Sequence, residues 1–271
     1  MYTNTTWRFP VAAALFALVA SLSTTSPALS ASGTAMGVKQ SAALESKAVT
    51  RVLDVGSDIL IGDTVTTGPS GQVQIRFSDK TELVVGPNSS LLIEDYLLRE
   101  DNSAGQFAIK ALGGTFRFVT GQAEKDRYKI ETPTGTIGVR GTAFDFNVDP
   151  AETRVLLFHG AVILCNAADR CVTLDDVCEL GQYDLSQSVV LGNADEITGE
   201  QREALKGAFR YAESQTPLLR DFWVANAREC FNKGFVADVP EYLGGGGSVK
   251  HGLPPAPDGC WYEPDGSLFC L

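Results

Sequence analysis

The stretch ETPTGTIGVRGTAFDF, which runs from Glu131 to Phe146, decides the fold class of this chain. It holds three glycines and four threonines, and it ends in the alternation Phe144-Asp145-Phe146. A phosphate-binding loop needs a glycine-rich consensus followed by a helix, and this stretch has neither. A catalytic loop needs a base or nucleophile with a partner, and Arg140 is the only permanent cation here. The stretch therefore predicts a turn between two strands.

This prediction gives the small residues of the stretch a structural role. Thr132-Pro133 is expected to end the first strand, because proline cannot donate to a sheet ladder. Glycine reaches backbone angles that other residues avoid and lets two backbones approach closely. Gly135 is therefore expected to reverse the chain, and Gly138 and Gly141 to permit close packing. Asp145 is expected on the solvent-exposed face of the strand that follows, since successive residues alternate between faces.

Several other segments alternate apolar and polar residues between glycine-rich turns. Phe116 and Phe118 flank Arg117, which predicts that Arg117 faces solvent. The segment TRVLLFHGAVILC is apolar nearly throughout, as in a strand covered on both faces. Residues 49–192 are therefore predicted to form an all-β sandwich, barrel or solenoid of short strands. In GQVQIRFSD, an inward apolar set alternates with an outward polar set: Val73, Ile75 and Phe77 against Gln72, Gln74, Arg76 and Ser78.

The periodicity changes near Thr198, where residues 195–234 predict a helical hairpin. Thr198 and Gln201 form a candidate capping box for the first helix. The second helix is expected to begin at Thr216-Pro217 and to end at Gly234. Both helices carry an apolar stripe that must be buried, and the β domain is the expected surface.

The N-terminal residues 1–30 predict a secretory signal peptide. Val11 to Ala20 is an unbroken apolar run, too short for a span of about 20 residues, and Ala28-Leu29-Ser30 is typical of a cleavage site. We expect cleavage near Ser30, a flexible segment over residues 31–48 and a mature chain without a membrane span. The expected location is the periplasm or the exterior.

The C-terminal residues predict a linker followed by a small hairpin. Residues 235–259 are rich in glycine and proline, and residues 260–271 read CWYEPDGSLFCL. If Pro264-Asp265-Gly266 is the turn, Trp261 lies opposite Phe269 and Cys260 lies opposite Cys270. A disulfide there would stabilise a hairpin that is marginal by itself.

The six cysteines all lie in the C-terminal half of the chain, and an even number in an exported protein favours disulfides. No C-x-x-C motif occurs, and neither His159 nor His251 lies near a second histidine, so no metal site is expected. If Cys260 pairs with Cys270, the other four cysteines can form two disulfides in three different ways. Cys230 is expected to join the second helix to the β domain. The candidates are Cys165, Cys171, Cys178, Cys230, Cys260 and Cys270.

Charge and motif content limit the function classes. The formal net charge of −11 disfavours nucleic acid and anionic lipid as partners. No nucleophile elbow or nucleotide-binding motif is present, so neither an enzyme nor a cofactor is expected.

The β region resembles a FecR-type domain, the exported sensory half of the FecR family of anti-sigma regulators. The resemblance rests on DVGSDILIGDTVTTGPSGQVQIRFSDKTELVVGPNSSLLIEDY (residues 54–96), GGTFRFVTG (113–121), IETPTGTIGVRGTAFDF (130–146) and FHGAVIL (158–164). Lys80 stands in a turn where the family often has glycine. Seven residues match the core motif, and the resemblance implies that they define the fold rather than catalyse: Thr132, Pro133, Gly135, Val139, Gly141, Thr142 and Phe144.

The departures from the family shape the expected function. A signal peptide stands where members carry a sigma-factor-binding segment and a membrane span, so direct sigma-factor contact is not expected. We expect a non-enzymatic exported protein that binds an envelope protein or polysaccharide, in envelope signalling or scaffolding, by adding a partner strand at a sheet edge. A carbohydrate- or peptidoglycan-binding module that uses Trp223, Trp261 and Tyr262 is one alternative, and a hydrolase with acids from distant segments is another.

Overall fold

The structure, a computed structural model, describes residues 1–3, 32–47, 49–98, 104–122, 127–197, 199–232, 260–262 and 268–270. The chain divides into two units, residues 1–231 and residues 232–271. Strands dominate the described residues, which confirms the mainly β fold. In these ranges, no helix combines the length and the apolar character that crossing a bilayer requires.

Within the described residues of the first unit, fifteen strands belong to one continuous sheet. They are β1 (Gly33–Lys39), β2 (Ala42–Ser46), β3 (Val49–Val52), β4 (Asp58–Ile59), β5 (Thr64–Thr67), β6 (Gln72–Phe77), β7 (Glu82–Val85), β8 (Ser90–Leu98), β9 (Ala104–Val119), β10 (Tyr128–Thr132), β11 (Gly135–Val148), β12 (Glu152–Asn166), β13 (Cys171–Leu174), β14 (Glu179–Asp184) and β15 (Ser188–Asn193).

Three long strands, β9, β11 and β12, fold this sheet into two layers, because each changes partners along its length. Layer A runs β4-β1-β6-β7, then through the second halves of β9 and β11 and the first half of β12, and ends in β14-β15. Layer B runs β3-β2-β5-β8, then through the first half of β9, β10, the first half of β11 and the second half of β12, and ends in β13. The core lies between the layers.

Glycines stand where the long strands pass from one layer to the other. Gly141 in β11 and Gly160 in β12 have φ of 67° and 85°, and the register shifts beside them. Gly114 in β9 has φ of 110°. A bulge with a glycine at positive φ bends a strand sharply, so these positions let one strand serve both layers.

The core is built from the inward half of each alternating segment. Phe116 and Phe146 stack with ring centroids 4.8 Å apart, and Phe107 and Phe118 lie edge to face at 5.7 Å. These rings are fully buried, as the period of two predicted for Phe116, Phe118, Phe144 and Phe146. The inward half of the pattern is therefore confirmed.

The flexible segment expected over residues 31–48 is wrong, because β1 and β2 lie there. β1 pairs with β4 and β6, and Ala35 is fully buried in the core. The all-β region thus begins at Gly33 rather than at residue 49. The sequence of β1, GTAMGVK, is rich in small residues, so its burial produces little hydrophobic signal.

The C-terminal segment (residues 199–231) contains only short helices. They are α1 (Glu200–Ala208), α2 (Arg210–Glu213), a 3₁₀ turn (Arg220–Phe222) and α3 (Glu229–Asn232). The first predicted helix exists, with Gly199 at its N-cap and Thr198 outside the described residues. The continuous second helix from Thr216 to Gly234 is wrong, since α3 is its only α-helical part in the described residues.

Hydrogen bonds from side chains of the sheet and of the C-terminal segment explain why that helix does not form. The amide of Gln72 donates to the carbonyl of Pro217 at 3.1 Å, and Leu219 N–H donates to Gln74 Oε1 at 2.7 Å. The amide of Gln215 binds both backbone groups of Val224, at 2.7 Å and 3.0 Å. Side-chain bonds of this kind compete with helical hydrogen bonds and hold the backbone in an irregular path.

The second unit contains β16 (Cys260–Tyr262) and β17 (Leu268–Cys270), which pair antiparallel. Cys260 lies opposite Cys270 and Trp261 opposite Phe269, so the predicted register is confirmed. The Cys260–Cys270 disulfide, the turn at Pro264-Asp265-Gly266 and the linker 235–259 lie outside the described features. The same holds for residues 4–30 of the predicted signal peptide.

Candidate functional site

The outer face of layer A is covered by the C-terminal segment, and a buried ion pair lies at the centre of the contact. Arg117 Nε lies 2.6 Å from Asp145 Oδ1, and Arg117 Nη2 lies 3.0 Å from Asp145 Oδ2. The two side chains are 1% and 0% exposed. A bidentate arginine–carboxylate pair is the strongest neutralising geometry for two charges removed from water.

The C-terminal segment completes the environment of this pair. Arg117 Nη1 donates to Gln215 Oε1, and the Ala212 N–H donates to Asp145. The guanidinium carbon lies 5.1 Å from the Phe158 ring centroid and 5.9 Å from that of Tyr211. Burial raises the pKa of Asp145, and Arg117 opposes this shift. The pair therefore depends on groups nearly 100 residues away in sequence.

A second polar contact lies above β6. Tyr211 Oη donates to Gln72 Oε1 at 3.0 Å, and burial raises the pKa of this phenol. Gln72 and Gln74 are 5% and 3% exposed. Arg76, at the margin, contacts Glu82 at 2.8 Å and Asp221 at 3.0 Å.

Four residues that were expected to face solvent are therefore buried instead. The period of two gives the face on which a side chain lies, but it cannot report that another segment covers that face. The sequence indicated such a covering segment only through the apolar stripe of residues 195–234, which had to be buried against another surface. The buried residues are Gln72, Gln74, Arg117 and Asp145.

Two disulfides resolve the connectivity that the sequence left open. Cys165 and Cys171 join β12 to β13 across the ladder. Cys178 and Cys230 join the start of β14 to the C-terminal segment, as expected for Cys230. Disulfides persist in oxidising compartments and are rare in the cytosol.

Thr132, Pro133 and Gly135 lie where β10 turns into β11, and the other four motif residues follow along β11. Thr132 Oγ1 lies 3.0 Å from Tyr183 Oη, and a Cβ on Gly135 would stand 2.1 Å from the Cys165 carbonyl oxygen. Val139, Thr142 and Phe144 are buried. Close packing at Gly138 is wrong, since a Cβ there would meet nothing nearer than 3.8 Å. That the motif as a whole defines the fold stays a prediction.

Lys80 has φ of 69°, which is the left-handed backbone conformation expected at a position where the FecR family often has glycine. The neighbouring Asp79 is fully buried and accepts hydrogen bonds from the hydroxyls of Thr81, Tyr128 and Tyr96, at 2.7, 2.8 and 3.2 Å. Burial raises the pKa of Tyr96. This cluster stabilises the turn from inside.

Four strands pair on one side only within the described part of the chain. They are β4 and β15 in layer A and β3 and β13 in layer B. β15 has six residues, the others four or fewer. An open edge offers N–H and C=O groups to an added strand.

A groove, the β15–α1 groove, lies beside the longest of these edges and has a volume of about 340 Å³. Pockets for small molecules begin at about this size. Leu191 lies in the groove and is 44% exposed. The lining has an apolar and a polar part: Leu180, Leu191, Ile197, Ala204 and Leu205 against Arg154, Gln182 and Gln201.

The direction of the β15 backbone groups follows from its hairpin. Asp184 N–H donates to the Gln187 carbonyl at 3.0 Å, which makes 184 and 187 a hydrogen-bonded pair. Pairs alternate in an antiparallel ladder, so Val189 faces β14 and Val190 directs its N–H and C=O outward. The register then shifts by one residue at Leu191, and such a bulge re-aims a side chain.

Comparisons with known proteins give a family match for part of the first unit. Residues 63–163 match the FecR protein family, which covers β5 to most of β12. Two solved structures of a candidate anti-sigma factor from Parabacteroides distasonis ATCC 8503 are similar to the chain at 11% and 12% identity, with TM-scores of 0.39 and 0.38. Each comparison covers 49% of this chain and 61% of the other, so the chain spans about three fifths of those proteins. No curated protein matches. The similarity of this chain to the FecR family is therefore carried by residues 63–163.

Proposed function

We propose that this chain is a non-enzymatic, exported protein of the cell envelope that binds an extended segment of a protein partner at β15. The FecR domain supports a role in envelope signalling. Two disulfides support a location in an oxidising compartment. The observation that carries the proposal is the β15–α1 groove, which lies beside the longest open edge of the sheet.

Strand addition explains why an edge and a groove occur together. Backbone hydrogen bonds to an edge strand supply affinity for any extended segment, and pockets for alternate side chains supply specificity. At β15, Val190 offers the outward backbone groups, and the groove receives a side chain beside Leu191 and Ile197. The C-terminal segment forms one wall of the groove through α1.

Single proline substitutions test which backbone groups take part. Peptides that bind the purified protein are first selected from a displayed library of extended sequences, and their Kd is measured by fluorescence anisotropy. Val190→Pro removes an outward N–H and is expected to weaken binding at least 10-fold while the thermal midpoint is retained. Val189→Pro removes an N–H that faces β14 and is expected to lower the thermal midpoint.

A matched substitution at the other layer provides the control. Thr50→Pro removes an outward N–H from β3, whose pairing with β2 is regular, and is expected to leave peptide binding unchanged. Loss of binding in Thr50→Pro but not in Val190→Pro would assign the site to β3 and contradict the proposal. Failure of the library to yield any binder would contradict it as well.

The carbohydrate alternative has less support. No aromatic residue lines the β15–α1 groove. The Trp223 indole N–H donates to the Leu218 carbonyl at 3.2 Å, and Arg220 lies 5.1 Å above its ring. One face of this ring is thus occupied by a cation rather than open to a sugar. Retention on cell-wall polysaccharide by the Val190→Pro variant would favour this alternative.

A further inference from the structure

We infer that the segment bound at β15 is basic, with an apolar side chain seated in the β15–α1 groove and lysine or arginine beside it. The inference rests on the proposed function and names the chemistry of its partner. It follows from the distribution of charge around the groove, which differs from that of the rest of the chain.

Acidic residues are concentrated in the segments that build the site. Residues 179–203, which include β14, β15 and the start of α1, contain six acidic residues and one basic residue, Arg202. Arg202 donates to the Phe231 carbonyl within the C-terminal segment. Arg154, on the groove wall, pairs with Glu152. The cations near the groove are therefore already engaged.

Several of these acids have structural partners, and two that adjoin groove residues in sequence have no ion pair in the described part of the chain. Glu179 accepts from the backbone N–H of Asp175 and Asp176, and Asp184 closes the β14–β15 turn. Glu196 and Glu200 are exposed and flank Ile197 and Gln201, which line the groove.

A partner segment that carries both an apolar side chain and a positive charge fits the apolar lining and the acidic residues beside it. An apolar side chain fits the part of the lining formed by Leu180, Leu191 and Leu205, while lysine or arginine lies against Glu196 and Glu200. Charge complementarity raises the association rate and rejects acidic competitors. A second copy of this chain presents the same acidic edge, and two such edges repel each other.

The test compares peptides and protein variants of matched composition. A selected extended peptide is prepared with two flanking lysines, and again with glutamine in their place. Binding is measured by anisotropy at about 50 mM and about 500 mM NaCl, because salt screens exposed charges. The variants are the protein itself, Glu196→Gln/Glu200→Gln and the control Asp175→Asn/Asp176→Asn, which removes two exposed acids outside the groove lining.

We expect the lysine peptide to bind the unmodified protein at least 5-fold more tightly than the glutamine peptide at low salt. The Glu196→Gln/Glu200→Gln variant should remove most of this difference, high salt should reduce it, and the control should retain it. Equal affinities for the two peptides would overturn the inference that the partner is basic. Loss of binding of both peptides in Val190→Pro would in that case still support strand addition. A dimer in sedimentation that Val190→Pro dissociates would assign the edge to a second copy and overturn the inference.

Discussion

At the scale of single residues, the Arg117–Asp145 pair joins layer A of the sheet to the C-terminal segment. Removing two charges from water is expensive, and only good geometry with further hydrogen bonds compensates for it. Gln215 and Ala212 provide those bonds from the C-terminal segment. The pair therefore makes docking of this segment specific, since a displaced segment would leave two buried charges with incomplete hydrogen bonding.

Substituting one member of the pair should be far more costly than substituting a partly exposed arginine on the same face. Arg117→Met leaves Asp145 buried without its cation, and we expect a loss of about 3–5 kcal/mol in the free energy of unfolding. Arg76→Met is the matched control, expected to cost up to about 1 kcal/mol because Arg76 is partly exposed. Urea denaturation measures both, and equal losses would contradict the central role of Arg117.

The loss in Arg117→Met should depend on pH in a defined direction. Burial raises the folded-state pKa of Asp145, and removing Arg117 eliminates an opposing effect. An acid whose folded-state pKa is raised binds its proton more readily in the folded state, so its ionised form destabilises the folded protein at pH values above that pKa. This destabilisation disappears as the pH falls toward the unfolded-state pKa of about 4. The difference in unfolding free energy between the protein and the variant should therefore shrink from pH 7.5 to pH 4.5. A constant difference would indicate lost packing alone.

The glycines of the motif separate into necessary and replaceable positions. Gly135→Ala places a Cβ 2.1 Å from the Cys165 carbonyl oxygen, and such overpacking costs roughly 1–3 kcal/mol. Gly138→Ala meets ordinary contacts and should be neutral or slightly stabilising, since alanine has less freedom in the unfolded chain. Thermal unfolding of the two variants provides the measurement. Equal stability of both would contradict a fold-defining role for Gly135.

At the scale of elements, the C-terminal segment acts as a cover for layer A. It buries Phe209, Phe222 and Phe231 against the sheet although its helices are short. Isolated helices of this length are marginal, so tertiary contacts and the Cys178–Cys230 bridge hold the segment in place.

The two disulfides should differ in their contribution to stability. The Cys178–Cys230 bridge spans a sequence separation of 52 residues and the Cys165–Cys171 bridge one of 6. Loop-closure entropy then predicts losses of about 4 and about 2 kcal/mol for the corresponding double alanine variants. Denaturation measures the losses, and hydrogen exchange should show faster exchange over residues 199–231 only when Cys178 and Cys230 are replaced. The reverse order would contradict the entropic account.

At the scale of the whole molecule, the predicted signal-peptide cleavage and the fold are linked at the N-terminus. The Ser32 N–H donates to the Ile59 carbonyl at 2.9 Å, and β1 begins at Gly33. Cleavage near Ser30 would leave this first ladder intact, whereas cleavage a few residues later would remove part of the core.

Intact-mass analysis of the exported protein tests this link. We expect a mature chain that begins near residue 31 and carries both described disulfides in oxidised form. Expression of residues 31–271 in a reducing cytoplasm should give protein with a lower thermal midpoint, since the bridges are lost. An N-terminus inside residues 33–39, or an uncleaved exported chain, would contradict the prediction.

The sequence by itself determined the features that depend on neighbouring residues. Alternation placed Phe116, Phe118, Phe144 and Phe146 in the core, and turn residues located the β10–β11 corner and the tail hairpin register. These features depend on backbone geometry within a few residues, so the order of residues in the sequence is enough to predict them. The FecR resemblance covered the same region.

Tertiary structure decided everything that depends on distant segments. Arg117 and Asp145 are buried because residues 199–231 cover them, and the second predicted helix gives way because Gln72 and Gln74 bind its backbone. β1 joins the core although its composition is weakly apolar. Burial of a face, competition for backbone hydrogen bonds and the choice of open edge are set by segments about 20 to 145 residues apart, and a period of two or 3.6 residues carries no information at that range.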